Sequence, residues 1–438
     1  MAGKSIGIGM IGCGTVGGGV MKLLRDQADL YAHRLGATLR LRRVLEHDLG
    51  KHKAKADLLP AGSITADADA FFSTDDMQIV IEVAGGCGLI SEYVRRALAS
   101  GRHVVTANKS LLAAEGHDLF ALARQHRVAI AFEASCGGGI PIITALQFGL
   151  MANRIDALYG ILNGTCNYIL TEMTRSGKDY ATALKEAQAA GYAEADPALD
   201  VGGQDTAQKL AVLASLAFGV RVTGDQVPVE GIDSLQVLDV RLGAELGYDI
   251  KLLAIAEHTD AGVSLCTHPC FIHTDLPLAQ VHGPFNAVSI YGHATGHTMY
   301  YGRGAGEMPA AAAVVSDLLN VASGWYPQAF AQLKLWGDAD QPATLVDSDD
   351  LVSRFYLRIN ALDVPGVMAK VTKILGDAGI SLSAMLQHEA EPGRFVPVVI
   401  TTHQARRGSV LAALQATQAL DEIDGKPVCI RIVDMPPG

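Results

Sequence analysis

The segment GYAEADPALDVGGQDTAQKL, residues 191–210, concentrates side chains that can do acid–base chemistry. Four acids and one lysine stand in it: Glu194, Asp196, Asp200, Asp205 and Lys209. Asp205 and Lys209 have i, i+4 spacing and would share one face of a helix. An exposed salt bridge is the ordinary interpretation of such a pair. However, the apolar run AVLASLAFGV follows directly, so the helix is expected to be buried, and this favours a functional site.

Reduction of a carbonyl group by hydride is the chemistry that this combination suits. The carbonyl oxygen gains charge as the hydride arrives, and an adjacent ammonium stabilises that charge and donates the proton. We therefore expect Lys209 to be the proton donor, with Asp205 beside it. The remaining carboxylates would bind a positively charged group of the substrate, such as the α-ammonium of an amino acid.

A second lysine, Lys109 in VTANKSLLA, follows a predicted strand. It would lie at the carboxyl edge of a parallel sheet, where ligands bind in α/β folds. Its position alone is equally compatible with a solvent-facing loop lysine.

A glycine motif, Gly12-x-Gly14-x-x-Gly17, lies between a predicted strand and a predicted helix. Glycine permits a tight turn and close approach of the backbone to a pyrophosphate, which the helix N-terminus attracts. Because further β–α units follow, we favour a dinucleotide site over a glycine-rich turn without a ligand. The site would consist of Gly12, Cys13, Gly14, Thr15, Val16 and Gly17.

The type of dinucleotide depends on the residues after the second strand. Glu46, with Asp48 nearby, lies somewhat beyond the usual spacing of about 20 residues for an acid that binds the ribose and favours NAD. His47, Lys51 and Lys53 could instead receive the 2′-phosphate of NADP. The sequence therefore leaves NAD and NADP open.

Strands and helices alternate through residues 1–150. Apolar runs predict strands at 5–12, 39–48, 77–85, 102–108 and 128–135, with helices at 17–35, 90–101 and 110–126. This alternation predicts an α/β dinucleotide-binding domain of the Rossmann type with a parallel sheet.

The remainder of the chain predicts two further domains. Residues 151–335 have an α+β pattern, and the helix at 309–324 is a candidate to return to the first domain. A polar linker, 337–350, leads to a tail, 350–438, with the order β-α-β-β-α-β. Because the linker separates the tail from the chemistry, we expect deletion near Asp349 to leave a competent enzyme.

The composition limits the classes of function. A net charge of −11 over 438 residues, without a basic block, argues against nucleic-acid binding. No apolar run is long enough to span a membrane, and we do not expect the N-terminus to be a signal peptide. Seven dispersed cysteines indicate reduced thiols in the cytoplasm. Cys266 and Cys270 admit a metal site, but isolated buried cysteines are the simpler interpretation.

The motifs in order resemble the homoserine dehydrogenase family over about three quarters of the chain. They are GxGTVG, VTANKxLLA, FEAS-x-GGGIP, GILNGTCNYIL, GYAEADPxxDVxGxDxxxKL and YGRGAG. The tail resembles an ACT domain, a small regulatory module that binds amino acids, through LDVPGVMAKV and GISLSAM. The resemblance implies reversible, NAD(P)-linked reduction of L-aspartate 4-semialdehyde to L-homoserine, on the route to threonine, methionine and isoleucine.

The resemblance also implies roles for particular residues. Lys209 would donate the proton, and Lys109 would lie between nicotinamide and substrate. The substrate-binding residues would be Glu194, Asp200, Gly191, Tyr192 and Thr165, with Asn163 and Gly164 in the cleft wall. Thr106 and Asn108 would line the cofactor pocket together with Glu46 and His47. His47 stands where many members of the family carry arginine, which again leaves the cofactor open.

Three further expectations come from the resemblance. The family often binds a monovalent cation, here Na⁺, through Glu133 and the carbonyls of Cys136, Gly138 and Ile140; a glycine-rich turn without a metal is the alternative. An amino-acid effector, most simply threonine, would bind the tail near Asp363, Pro365, Gly366 and Gln387. The second domain would bind substrate and form a homodimer or homotetramer.

Two alternatives to this enzyme remain. A dinucleotide fold with an ACT tail could be a sensor without turnover, although Lys109, Asp205 and Lys209 argue against it. The chain could also be a dehydrogenase of another amino-acid aldehyde or ketone. Assays with homoserine and with a substrate panel separate these possibilities.

Overall fold

The computed structural model describes residues 4–48, 58, 62–334, 342–389, 391 and 393–436. Lys51, Lys53 and linker residues 337–341 lie outside the described ranges. The described chain forms two sheets, one of six strands and one of ten.

The first sheet is parallel, with the strand order β3-β2-β1-β4-β5-β6, which confirms the predicted Rossmann-type fold. Its strands are β1 Lys4–Ile11, β2 Ala37–Leu45, β3 Ile64–Thr65, β4 Ile79–Glu82, β5 His103–Thr106 and β6 Ile130–Ala131. The helices between them are α1 Thr15–Asp26, α2 Ala28–Leu35, α3 Ala68–Phe72, α4 Leu89–Ala99 and α5 Lys109–Gln125. The single helix expected at 17–35 is divided, because Gln27 leaves helical geometry (φ −117°) within a polar run.

The central part of the chain forms an antiparallel sheet with the order β11-β10-β7-β8-β9. Its strands are β7 Ile155–Ile161, β8 Tyr248–Thr259, β9 Gly262–His273, β10 Phe285–Gly292 and β11 Gly296–Arg303. The accompanying helices are α6 Ile142–Thr144, α7 Gly164–Ser176, α8 Tyr180–Ala189, α9 Ala198–Val201, α10 Gln204–Phe218, α11 Val237–Glu245, α12 Glu307–Ala322 and α13 Trp325–Gln332. Helix α10 is almost wholly buried, as its apolar sequence predicts.

Helix α12 returns to pack on α1. A Cβ atom added to Gly19 would lie 2.8 Å from the Cβ atom of Ala311, so glycine permits this close helix contact. Lys22 Nζ and Glu307 Oε1 are 2.6 Å apart at the same junction. The two parts of the chain therefore share one core, which includes Cys13 of the glycine loop.

The tail has the predicted β-α-β-β-α-β order, with one additional short strand. Its elements are β12 Val352–Leu362, α14 Val367–Asp377, β13 Leu382–Gln387, β14 Phe395–Thr402, β15 Ala405–Arg406, α15 Arg407–Gln418 and β16 Ile423–Ile432. Strand β16 also pairs in parallel with β9, Arg431 opposite Cys270 and Ile432 opposite Phe271. The sheet of the tail therefore continues the central sheet.

Two findings bear on the composition arguments. All seven cysteines lie within the described ranges, and no disulfide joins any of them. Within the described ranges, no helix has the length and apolar character needed to cross a bilayer.

Candidate active site

One carboxylate lies between two lysines where α5 and α10 meet. Lys209 Nζ donates to Asp205 Oδ2 at 2.7 Å, and Lys109 Nζ lies 3.1 Å from Asp205 Oδ1. The side chains of Asp205 and Lys209 are 10% and 13% exposed, whereas that of Lys109 is 33% exposed. The predicted i, i+4 pair is thus a buried pair, and Lys109 approaches it from the solvent side.

The opposite charges of this cluster stabilise the ionised forms of Asp205 and Lys209. Burial by itself would raise the pKa of Asp205, but Lys209 and Lys109 lower that pKa to about 2. Burial would likewise lower the pKa of Lys209, but the neighbouring Asp205 outweighs it and the pKa is raised. At neutral pH the cluster therefore holds an ionised carboxylate and a protonated Lys209, which is the form that can donate a proton.

The end of β7 fixes both members of the pair. The carbonyl of Leu162 accepts a hydrogen bond from Lys209 Nζ at 2.8 Å. Asn163 Nδ2 donates to Asp205 Oδ2 at 2.9 Å and to Asp200 Oδ1 at 2.8 Å. Asn163 Oδ1 accepts from the N–H of Cys166, so the same side chain caps α7. Asn163 therefore links the lysine pair to the second acid of the crowded segment.

Asp200 is partly buried beside Asn163 and Thr165. Burial raises the pKa of Asp200, Asn163 opposes that shift, and the charge of Asp205 adds to it. The Thr165 hydroxyl donates to the carbonyl of Tyr192 at 2.5 Å and lies 3.5 Å from Asp200 Oδ2. These contacts bring three of the predicted substrate-binding residues together.

The other predicted substrate residues lie in the turn between α8 and α9. Gly191 adopts a positive φ of 75°, and the ring of Tyr192 lies 4.9 Å from that of Tyr168. Glu194 is exposed, and its side chain makes no hydrogen bond or ion pair within the described residues. The structure therefore places Glu194 in the same turn but does not join it to the buried cluster.

The glycine loop forms a cradle at the N-terminus of α1. A Cβ atom added to Gly12 would lie 2.7 Å from the nitrogen of Ala84, and one added to Gly17 would lie 2.6 Å from the oxygen of Gly12. A Cβ atom on Gly14 would meet no protein atom within 4 Å. Gly12 and Gly17 thus permit close packing, whereas Gly14 leaves room beside the helix N-terminus, followed by Thr15 and Val16 in the first turn. This arrangement fits a pyrophosphate.

Glu46 binds the same loop from the end of β2. Its Oε2 accepts from the N–H of Cys13 at 2.9 Å, and its Oε1 accepts from the N–H of Asp48 at 3.1 Å. Next to it, His47 Nε2 lies 3.3 Å from the hydroxyl of Tyr93. The predicted ribose-binding acid is therefore adjacent to the glycine loop.

A buried acid that the sequence analysis did not identify organises the next loop. Glu82 Oε1 accepts from the N–H groups of Ala84 and Gly85, each at 2.9 Å, and its Oε2 accepts from Thr106 Oγ1 at 2.6 Å. Thr106 in turn accepts from the N–H of Asn108 at 3.0 Å. Burial raises the pKa of Glu82. The sequence feature that could have identified Glu82 is an acid at the end of the apolar run IVIE, shortly before the turn residues Ala-Gly-Gly.

Asn108 sets the start of the helix that carries Lys109. Its Oδ1 accepts from the N–H of Leu111 at 3.1 Å, and its Nδ2 donates to the carbonyl of Gly86 at 2.6 Å. Lys109 is consequently the first residue of α5 and not an unconstrained loop lysine.

The predicted cation ligands lie in the turn before α6. Glu133 accepts from the N–H groups of Ile143 and Thr144, each at 2.8 Å, and from the Thr144 hydroxyl at 2.5 Å. Gly138 has a positive φ of 57°, and Ile140 accepts through its carbonyl from the N–H of Ile142. Cys136 is buried, and its Sγ lies 3.7 Å from the carbonyl of Lys209.

Asp317 on α12 is a second buried acid that the sequence analysis missed. Its Oδ2 accepts from the N–H of Glu133 at 2.7 Å, and burial raises its pKa well above the ordinary value.

Within the described residues, no group of three or more His, Cys, Asp or Glu side chains could hold a metal. Cys266 instead lies 3.5 Å from Arg431 Nη1.

Three of the predicted effector residues lie in the turn before α14, and the fourth, Gln387, is the last residue of β13. Gly366 precedes the helix with φ +95°, directly after Pro365, and Gln387 Nε2 donates to Asp363 Oδ1 at 3.1 Å. The structure therefore brings Asp363 and Gln387 together.

Comparison with known proteins gives consistent matches along the chain. Family models match residues 12–133 (homoserine dehydrogenase, NAD binding domain), 141–319 (homoserine dehydrogenase) and 355–418 (ACT domain). Homoserine dehydrogenases of Pseudomonas aeruginosa and Neisseria gonorrhoeae are 41% and 39% identical, over 98% and 97% of this chain and 99% and 98% of theirs. The crystal structure of a homoserine dehydrogenase from Thiobacillus denitrificans has a TM-score of 0.92 and 42% identity, covering 98% of this chain and 99% of that one.

Proposed function

Because the chain belongs to the homoserine dehydrogenase family, an oxidoreductase family with a nicotinamide dinucleotide cofactor, we propose specific roles for its residues in reducing L-aspartate 4-semialdehyde to L-homoserine. The cluster of Lys109, Asp205 and Lys209, joined through Asn163 to Asp200, carries the proposal. The dinucleotide supplies the hydride when it is bound in the glycine cradle.

Lys209 is the proton donor to the carbonyl oxygen. Its ammonium is held by Asp205 and by the carbonyl of Leu162, so two acceptors fix its position. In the oxidation of homoserine the same nitrogen, when neutral, accepts the hydroxyl proton. Lys109, on the solvent side of Asp205, orients the substrate and adds positive charge near the developing oxyanion.

Asp200 and Glu194 hold the ammonium of the substrate, with Thr165, Gly191 and Tyr192 forming the surrounding wall. Asp200 is supported by its contact with Asn163 and by its position beside Asp205. Glu194 is supported only by its place in the same turn and by the resemblance. Its exposed side chain would have to turn inward on binding.

NAD⁺ is the cofactor that Glu46 favours. The carboxylate lies against Cys13 of the glycine loop, where a ribose hydroxyl can be bound and where a 2′-phosphate would meet like charge. Replacing Glu46 with Ser should therefore shift the ratio of kcat/KM values toward NADP⁺. A ratio unchanged by this substitution would reject the assignment.

Na⁺ at Glu133, Cys136, Gly138 and Ile140 stays a prediction. Both oxygens of Glu133 already accept hydrogen bonds from the start of α6, so the carboxylate as placed is a poor cation ligand. No step of the proposed chemistry involves the cation. Activity that is equal in Na⁺ and in a bulky organic cation would reject it.

Regulation through the ACT domain is proposed to use threonine. The backbone N–H groups in the first turn of α14 can bind its carboxylate, next to Gln387 and Asp363. Inhibition requires unequal binding to two states, typically by about 1–3 kcal/mol. Titration of the enzyme with threonine tests this. If methionine or isoleucine inhibits the enzyme and threonine does not, the effector is that other amino acid and threonine is rejected.

The assembly and location are proposed as a cytoplasmic homodimer or homotetramer. Strand β11 is an edge strand that exposes Met299 and Tyr301, which supports a contact through the central domain. Seven cysteines that form no disulfide within the described residues support a reducing compartment. Sedimentation of the purified chain tests the assembly, because a monomer would reject it.

The proposed function is tested by measuring homoserine oxidation with NAD⁺ and with NADP⁺ side by side. The absorbance band of the reduced nicotinamide reports turnover. We expect turnover with homoserine and faster turnover with NAD⁺. The absence of turnover with either cofactor would favour the sensor. Faster turnover of another amino alcohol would favour a different dehydrogenase.

A further inference from the structure

A chain of polar side chains connects the ACT domain with the central sheet. The Tyr159 hydroxyl on β7 donates to Glu257 Oε1 on β8 at 2.6 Å. Glu257 Oε2 accepts from Arg431 Nη2 on β16 at 3.2 Å. We call these three residues the Tyr159–Glu257–Arg431 chain. It crosses the sheet from the last strand of the tail to the strand that ends at the active site.

Each member of the Tyr159–Glu257–Arg431 chain is buried or partly buried. Tyr159 is 1% exposed, and the side chains of Arg431 and Glu257 are 7% and 21% exposed. Arg431 Nε also donates to Ser353 Oγ at 3.1 Å. Removal of one partner from a buried charged network leaves the others without compensation, so a substitution of any one of the three side chains is expected to disturb the other two.

Strand β7 leads directly into the cluster that does the chemistry. Leu162, three residues after Tyr159, presents the carbonyl that accepts from Lys209. Asn163 follows and donates to both Asp200 and Asp205. A shift of β7 along the sheet would therefore change the positions of Lys209 and Asp205 relative to the substrate.

We propose that Tyr159, Glu257 and Arg431 are positioning residues for the reaction, through which strand β16 of the ACT domain holds the end of β7 in register with Lys209. The proposal rests on the assignment of Lys209 as proton donor. It assigns to the tail a part in the geometry of the uninhibited enzyme, in addition to effector binding.

A second set, again of a tyrosine, a carboxylate and an arginine, provides a matched control. The Tyr356 hydroxyl on β12 donates to Asp239 Oδ1 at 3.1 Å, and Arg358 Nε donates to the same oxygen at 2.5 Å. Tyr356 is 0% exposed, so it is as buried as Tyr159. This set joins the ACT domain to α11, whereas neither β12 nor α11 ends at the active site.

The experiment compares Tyr159→Phe with Tyr356→Phe in the full-length enzyme. Each substitution removes one buried hydroxyl from a carboxylate paired with arginine and keeps the ring. Tyr159→Phe should lower kcat by about 5- to 50-fold and change the KM for the dinucleotide by less than about twofold, because a small misplacement of reacting groups is costly. Tyr356→Phe should lower Tm to a similar extent and leave kcat within about twofold of the original.

Arginine variants test the same chain from its other end. Arg431→Met should reproduce the loss of kcat, and Arg431→Lys, which keeps the charge, should recover part of it. If Tyr159→Phe and Tyr356→Phe lower kcat equally for equal losses of Tm, the Tyr159–Glu257–Arg431 chain is only structural and the proposal is overturned.

A Lys209→Met variant assayed in parallel separates the positioning proposal from the proton-donor assignment on which it rests. Its full activity would reject the proton-donor assignment, whereas its inactivity would leave that assignment standing even if the tyrosine variants behave alike.

Discussion

Asp205 determines the charge balance of the active site, because two lysines and Asn163 all contact its carboxylate. An ionised Asp205 keeps Lys209 protonated despite burial. The i, i+4 spacing and the apolar helix were sufficient to predict this pair from the sequence. Asn163 was expected only as cleft wall. Its bonds to two acids could not be predicted, since they depend on where a distant strand ends.

Glu194 is tested against its neighbour Asp196. Glu194→Gln should raise the KM for homoserine by about tenfold and change the Kd for the dinucleotide little, because it removes a charge that faces the substrate ammonium. Asp196→Asn is the control, since within the described part of the chain Asp196 Oδ1 accepts only from the N–H of Ala198, and the amide keeps that acceptor. Steady-state kinetics and dinucleotide titration give the two constants. Equal effects of Glu194→Gln on both would indicate a folding defect.

The pH dependence follows from the two pKa shifts. The pKa of Lys209 is raised above 10.5, so its protonated form and the stability of the pair persist below that value and are lost as the pH rises through the folded pKa. The pKa of Asp205 is lowered to about 2, so its contribution is present above the unfolded pKa and is lost only as the pH falls toward 2. Aldehyde reduction should therefore lose no donor up to about pH 10, and homoserine oxidation should accelerate with pH. Reduction that instead declines between pH 6 and 8 would indicate another donor.

Loops at the carboxyl ends of strands bring the reacting groups together. Some of these loops could be predicted from the sequence and others could not. The glycine motif marked the loop after β1, since its spacing has a direct steric meaning. Glu82 and Asp317 were missed, because a single acid within an apolar run is read as part of a strand or helix. Glu82 binds N–H groups of the loop that directly follows it, whereas Asp317 binds the N–H of Glu133, which only the fold brings near.

Two glycines of the same loop should respond differently to alanine. Gly14→Ala should fold normally and raise the KM for the dinucleotide by at least about tenfold, because its Cβ meets no protein atom and lies at the helix N-terminus. Gly17→Ala should lower Tm, because its Cβ would lie 2.6 Å from the oxygen of Gly12. Thermal unfolding and cofactor titration distinguish the two. A Gly14→Ala enzyme with unchanged cofactor affinity would move the pyrophosphate elsewhere.

The whole molecule is more continuous than its sequence indicates. The polar linker suggested a separable tail, but β16 pairs with β9, and Tyr356, Ile430 and Ile432 share a core with Phe271 and residues of α7. Linker composition reports local solvation only. It carries no information on the strand pairing that the tail makes after it folds.

Deletion after Asp349 is therefore no longer expected to leave a competent enzyme. The truncated chain would expose the edge of β9 and the apolar side chains of Phe271 and Ile250, each of which contributes about 1.5–3 kcal/mol when buried. We expect a loss of about 5 kcal/mol in the free energy of unfolding and a marked fall in kcat. Denaturant unfolding and steady-state assays measure both. An active truncated enzyme of unchanged stability would show that the tail is an independent module.

The most direct measurement of the central claim is the initial rate of homoserine oxidation by Lys209→Met, with Lys373→Met as control. Methionine keeps most of the length of the buried side chain and removes its proton chemistry. Lys373 forms an exposed i, i+4 pair with Asp377 and has no part in the site. We predict that Lys209→Met lowers kcat by about 10²- to 10⁴-fold with nearly unchanged dinucleotide affinity, while Lys373→Met keeps full activity. Near-full turnover by Lys209→Met would contradict the account and would make Lys109 the better candidate for the proton donor.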